Sequence, residues 1–171
     1  MINKKVLSEI DIYSGKIKMP KGFEIDRSQL VKNITLTNYY EDVNLDYSKE
    51  WEKVKNFISD FFLVEHKLGL APKQSFGNFY ERNERSQPMI AADKADLLNA
   101  ADYVFLYGVG TDPESCEVFI YYDNKRLANQ VYRHKLETNE FVMFPATQLY
   151  HIENNNNRYL NYIQTILFKW I

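Results

Sequence analysis

The chain has 171 residues, 45% of them hydrophobic and 26% charged, with a formal net charge of -2. That is the composition of a globular domain with one core, and the near-neutral balance excludes nucleic-acid binding driven by bulk charge. The single cysteine, Cys116, rules out an internal disulfide and suits a reducing compartment.

No apolar stretch approaches the roughly 20 residues of a membrane-spanning helix. The opening segment MINKKVLSEIDIYSGK has no apolar core of signal-peptide length. The expected location is therefore the cytoplasm of the producing cell, with later packaging into a particle left open. Aromatic residues reach 15%, with 13 Tyr and 11 Phe. Both favour strands, so the composition leans toward a sheet-rich fold.

In chain order, residues 1–30 read as an arm. Short apolar pieces at Val6-Leu7, Ile10, Ile12 and Ile17 are broken by charges, Gly15, Pro20 and Gly22, and nothing there sustains a helix. The segment IDIYSGKIKM fits one edge strand, or an extension that lies on a partner chain or a second copy. Residues 34–40, ITLTNYY, have strand composition. Residues 1–46 are thus expected to form an arm and edge strand, and residues 47–171 a helix plus the β core, all in one domain.

Ser48 suits an N-cap, with Glu50 and Glu52 in the first turn, where the helix dipole favours negative charge. Trp51, Val54, Phe57, Ile58, Phe61 and Phe62 follow at spacings of three and four, which predicts an amphipathic helix over 48–66. Gly69 and Pro72 mark its end. The stripe is poor in Lys and Arg, so it is expected to pack on a sheet rather than on a membrane surface.

Beyond Pro72, SFGNFYERN predicts a strand, and the Ala-rich residues 89–101 fit a short helix or a loop. The rest reads as strands: YVFLYGV (103–109), CEVFIYY (116–122), NQVYRHKL (129–136), EFVMF (140–144), QLYHI (148–152) and RYLNYIQTILF (158–168). Turns separate them at Gly110 to Ser115, Asp123 to Lys125, Glu137 to Asn139 and the four asparagines Asn154 to Asn157. Such spacing predicts an all-β sandwich or barrel with one helix on an outer face.

Motifs of common chemistries are missing. The chain has no zinc spacing of Cys and His, no phosphate-binding glycine loop and no G-x-S-x-G elbow. Cys116 opens an apolar strand and reads as a small buried hydrophobe. Of the three histidines, His66 follows the predicted helix and His134 lies between Arg133 and Lys135. His151 stands apart, in FPATQLYHI before the asparagine run and Arg158. On the residues alone, His151 and Arg158 fit a turn-flanking histidine and an arginine paired with Glu153.

The segment FVMFPATQLYHIENNNNRYLNYIQTILF resembles the last strands of the 2-oxoglutarate/Fe(II) oxygenases of the prolyl-hydroxylase type, including versions carried by tailed phages. YVFLYGV and CEVFIYYD resemble the strand pair that follows that family's first metal motif. The resemblance covers roughly residues 75–170. It implies a double-stranded β-helix, a jelly-roll or cupin-like barrel, with His151 as the second iron-binding histidine and Arg158 as the arginine that pairs with 2-oxoglutarate.

Family members hold Fe(II) with two His and one carboxylate, the first two as His-x-Asp or His-x-Glu. Here the matching place reads Ala91-Ala92-Asp93, with Ala91 where the histidine belongs. His66 and His134 cannot substitute, because Leu68 and Leu136 stand where the carboxylate would be. The expectation is therefore a catalytically degenerate member without cofactor, used as a binding or structural module. The resemblance also admits a phage-encoded virion or host-interaction protein. The alternative is an active dioxygenase with an unusual centre, in which Asp93 and His151 ligate iron and Arg158 holds 2-oxoglutarate. A cupin-like ligand binder without metal uses the same barrel.

Overall fold

The computed structural model describes residues 10–17, 26–40, 49–109, 116–124, 127–155 and 160–171. Its elements are β1 (Tyr13–Lys16), α1 (Arg27–Tyr40), α2 (Lys49–His66), β2 (Leu70–Tyr80), β3 (Tyr103–Gly108), β4 (Cys116–Tyr122), β5 (Gln130–Leu136), β6 (Glu140–Pro145), β7 (Tyr150–Glu153) and β8 (Asn161–Trp170). They form two antiparallel sheets, one of five strands in the order β1-β6-β3-β8-β2 and one of three in the order β5-β4-β7. The fold is mainly β, a sandwich with two helices against its larger sheet. Most of the arm, Ser48, the 110–115 turn and Arg158 lie outside the described residues. No helix among the described residues is long and apolar enough to cross a membrane.

The alternation within each strand explains the layering. On β3, Val104 and Leu106 face the small sheet, where they meet Val118 and Ile120 of β4 and Ile152 of β7. Phe105 and Tyr107 face the opposite way, into a second core built with Trp51, Ile58 and Phe62 of α2. Apolar cover on both faces is why YVFLYGV is an almost unbroken apolar run. The large sheet thus has helices outside it and the small sheet inside. The small sheet's outer face carries no element among those described.

The helix predicted over 48–66 is α2. It ends before Gly69: Lys67 takes the left-handed conformation at φ 58, and the Leu68 N–H bonds the Phe62 carbonyl at 3.1 Å. Pro72 lies within β2, at a bulge between Pro72 and Gln74 on an edge strand, where a missing N–H is tolerated. The segment 89–101 forms turns and loop rather than helix.

One expectation is overturned. Residues 34–40 continue α1 instead of forming a strand, and the arm reading of 1–30 fails from Arg27 onward. Asp26 starts this helix: its carboxylate accepts from the Gln29 N–H at 3.0 Å and its carbonyl from the Leu30 N–H at 3.2 Å. Leu30, Asn33 and Ile34 then fall on one buried face. Thr35 directs its hydroxyl back to the Val31 carbonyl at 2.9 Å, so the β-branched run is accommodated within the helix. Docking decides the outcome. A Cβ on Gly77 of β2 would strike Ile34, and the Asn38 amide donates to the Gly77 carbonyl at 2.8 Å. Tertiary burial on β2 outweighs the strand propensity of ITLTNYY.

Candidate functional site

The uncovered outer face of the small sheet is ordered as a grid, because antiparallel register sets side chains of neighbouring strands opposite one another. One row is charged: Lys135 and Glu153 flank Glu117, and Arg85 bridges to Glu153 beyond β7. The next row is a stack, with Arg133 on β5, Phe119 on β4 and His151 on β7 as direct cross-strand partners. In the third row Tyr121 stands opposite Val131, and its N–H bonds the Leu149 carbonyl at 2.9 Å. Together these rows wall an open depression of about 350 Å³.

His151 is the centre of this grid. It is 2% exposed, although it faces away from the core between the sheets. Phe119 covers one face of its ring, with centroids 4.5 Å apart and planes 9° apart. Arg133 sets its guanidinium over the same Phe119 ring, 5.1 Å from the centroid, a cation–π contact. Both imidazole nitrogens are engaged, Nε2 with Glu153 Oε1 at 2.9 Å and Nδ1 with the Tyr121 hydroxyl at 3.2 Å.

Glu153 is bound from several sides. The Asn155 amide donates to its Oε2 at 3.0 Å, and Arg85 Nε lies 3.3 Å from its Oε1. The Asn155 and His151 hydrogen bonds hold its carboxyl below the ordinary range, so it accepts as a carboxylate. In the neutral imidazole, Nε2–H then donates to Glu153 and Nδ1 is left as an acceptor. The Tyr121 O–H must therefore donate to Nδ1, which turns the lone pairs of the tyrosine oxygen toward the depression. The Asn155 amide also donates to Glu117 Oε2 at 3.1 Å, tying the two carboxylates together.

The residues singled out in the sequence fall in different places. Asp93 is exposed in the loop after the 85–92 segment, where its carboxylate accepts from the Ala95 N–H at 2.8 Å. Ala91 packs, partly buried, against the core between the sheets. Arg158 lies outside the described residues. His66 is exposed at the end of α2, against Tyr13 and Phe62. His134 lies half-buried on β5, stacked with Tyr132, and its Nε2 is buried without a hydrogen-bond partner. Cys116 is buried in the core, and burial pushes its thiol up to about 12, which makes it inert as a nucleophile at neutral pH. Glu153, paired with Arg158 in the simplest sequence reading, is engaged by Arg85 and His151. Among the described residues, no group of three or more His, Cys, Asp or Glu side chains is placed to hold a metal ion.

Phe119, Tyr121, Arg133 and Arg85 were not singled out from the sequence. Alternation in CEVFIYY separates Glu117, Phe119 and Tyr121 from Cys116, Val118 and Ile120. Nothing local reveals which strands flank them.

No family model matches the chain, and no curated protein matches it. Among solved structures it is similar to the crystal structure of AviO1 from Streptomyces viridochromogenes Tue57, with a TM-score of 0.48 and 9% sequence identity. The match covers 73% of this chain and 59% of AviO1, so the chain spans about three-fifths of that neighbour's length.

Proposed function

We propose that the chain is a jelly-roll binding module of the oxygenase-like type that works without iron chemistry, and that its binding surface is the outer face of the β5-β4-β7 sheet. The strand order supports the jelly-roll reading. From β2 onward the chain passes to the 85–92 segment against β7, returns to β3, crosses to β4 and β5, returns to β6, crosses again to β7 and comes back to β8. Winding of this kind is how a double-sheet jelly roll is built.

The observation that carries the functional reading is the direction of β7. Tyr150 and Ile152 enter the core, so His151 between them must face outward. In the oxygenases the resemblance points to, iron sits inside the barrel. Here Val104, Leu106, Val118, Ile120, Phe144 and Ile152 pack the space between the sheets. Polar groups with directed hydrogen bonds are instead collected on the outer face, in a depression of a size that accepts a small ligand. A fold of this type carries no activity by itself; the site does.

Two measurements test the reading. Anaerobic titration with Fe(II) and 2-oxoglutarate is expected to give no charge-transfer band. A strong band that disappears in His151→Ala makes the chain an active dioxygenase and overturns the proposal. Amide chemical-shift mapping with a panel of saccharides and small organic anions is expected to perturb outward residues of β4, β5 and β7. Perturbations confined to inward residues count against the outer face.

A further inference from the structure

We infer that the outer face binds a hydroxylated oxyanion, the chemistry shared by a sugar acid and a sugar phosphate, with Arg133 as the anion anchor and Tyr121 as the hydroxyl acceptor. The inference rests on the binding-module reading and specifies its ligand.

Charge is the first argument. The depression is lined by two cations, Arg85 and Arg133, and two carboxylates, Glu117 and Glu153, while Lys135 of the charged row pairs with Glu137 at 3.2 Å. Glu153 is already shared by Arg85, His151 and Asn155. Arg133 has no carboxylate partner among the described residues; its guanidinium lies over Phe119 instead. The position of the cation is built rather than incidental. Arg133, Phe119 and His151 are cross-strand neighbours in one row, and the buried His151 ring backs the Phe119 ring. An arginine resting on an aromatic face keeps its N–H edges free for an oxyanion, which a guanidinium binds with two parallel hydrogen bonds.

Geometry is the second argument. With the imidazole neutral and its Nε2–H on Glu153, the Tyr121 hydroxyl donates to Nδ1. The tyrosine oxygen consequently offers only lone pairs to the depression. A donor fork and an acceptor side by side, in a polar cleft, suit a ligand that carries a negative group and a hydroxyl close together. A simple anion uses only the first, and a neutral sugar only the second.

The test is calorimetric titration of the intact chain with glucuronate, glucose 6-phosphate, glucose, acetate and inorganic phosphate, with amide shifts recorded in parallel. At least one of the first two probes is expected to bind about tenfold tighter than glucose and than its bare anion. Which of the two binds better distinguishes a carboxylate ligand from a phosphate. Arg133→Gln is expected to weaken that binding about tenfold, and Tyr121→Phe severalfold. Both substitutions are at side chains outside the cores, and the amide spectra recorded in parallel check that each variant is folded. Glucose binding as tightly as both glucuronate and glucose 6-phosphate, or undiminished binding by Arg133→Gln, overturns the inference. If a neutral sugar shifts the Tyr121 and His151 signals equally in both proteins, the anionic ligand is wrong and the binding face stands. If no probe perturbs any outward residue of β4, β5 or β7, the face itself is wrong.

Discussion

His151 and Phe119 lie ring against ring, centroids 4.5 Å apart and planes 9° from parallel, because they are direct cross-strand partners on β7 and β4. Through this contact a histidine on an outward-facing position is nine-tenths or more buried and locked in one orientation. The ring cannot rotate without losing Glu153 on one nitrogen and Tyr121 on the other.

Removal of the ring beneath that histidine should be costly for an outer-face substitution. Phe119→Ala withdraws the stack from His151 and the support from Arg133, and it leaves a hollow on a strand bonded on both sides. Urea denaturation is expected to show a loss of about 3 kcal/mol, at the lower end of the range for Phe→Ala in cores. Phe119→Tyr keeps the ring and should stay within about 1 kcal/mol of the parent. Equal stability of Phe119→Ala and the parent would show that the stack contributes nothing.

Asn154 is the polar clamp between the two sheets. It is 0% exposed, its amide donates to the Tyr80 carbonyl at 2.8 Å, and its oxygen accepts from the Asn161 amide at 2.8 Å. Asn154→Ala strands both partners, an expected loss of about 2–4 kcal/mol by denaturant titration. Asn154→Asp places a carboxyl in the same buried site and loses the donor to Tyr80. Burial raises that carboxyl above its unfolded value, so the folded state holds its proton more tightly. The variant should therefore regain stability as pH falls and lose it as pH rises through the folded pKa. A pH-independent deficit would refute the clamp.

His134 supplies the opposite sign. Burial holds its pKa below the ordinary 6.5, with Glu140 pulling weakly the other way. As pH drops through 6.5 the unfolded chain takes up a proton before the folded one does. Stability from this group is complete above 6.5 and falls as pH is lowered toward the depressed folded pKa. Urea midpoints between pH 8 and pH 5.5 should fall more for the parent than for His134→Phe. The substitution also deletes the unpartnered Nε2, so its stability at pH 8 should not be lower than the parent's. Parallel pH profiles for the two proteins would dismiss this role.

Periodicity alone was sufficient for much of the fold. Trp51, Val54, Ile58 and Phe62 recur at helical spacing, and α2 buries them. The strand expected at 116–122 is β4, and the core of the 158–168 expectation lies in β8, which begins at Asn161. These are local signals, because a helix or strand must present its apolar side chains at its own period to bury them. ITLTNYY failed for the complementary reason. Its β-branched composition is a weak preference, and the place left for it on β2 by Gly77 fits a helix.

The candidate site shows the same division more sharply. QLYHIE states that His151 and Glu153 share one face and Tyr150 and Ile152 the other. It does not state which face meets the core, because a period of two is satisfied equally by either choice. Packing decided that: Tyr150 and Ile152 bury more apolar surface than His151 and Glu153, so they turned inward. The join of His151 to Phe119, and of Phe119 to Arg133, spans 32 and 14 positions of chain, and only the register of three strands brings them into one row. The sequence by itself determined most of the elements, α1 excepted, and the chemistry of each side chain. The tertiary structure alone decided which of those side chains face each other, because strand pairing is set by the burial of the whole sandwich rather than by any single segment.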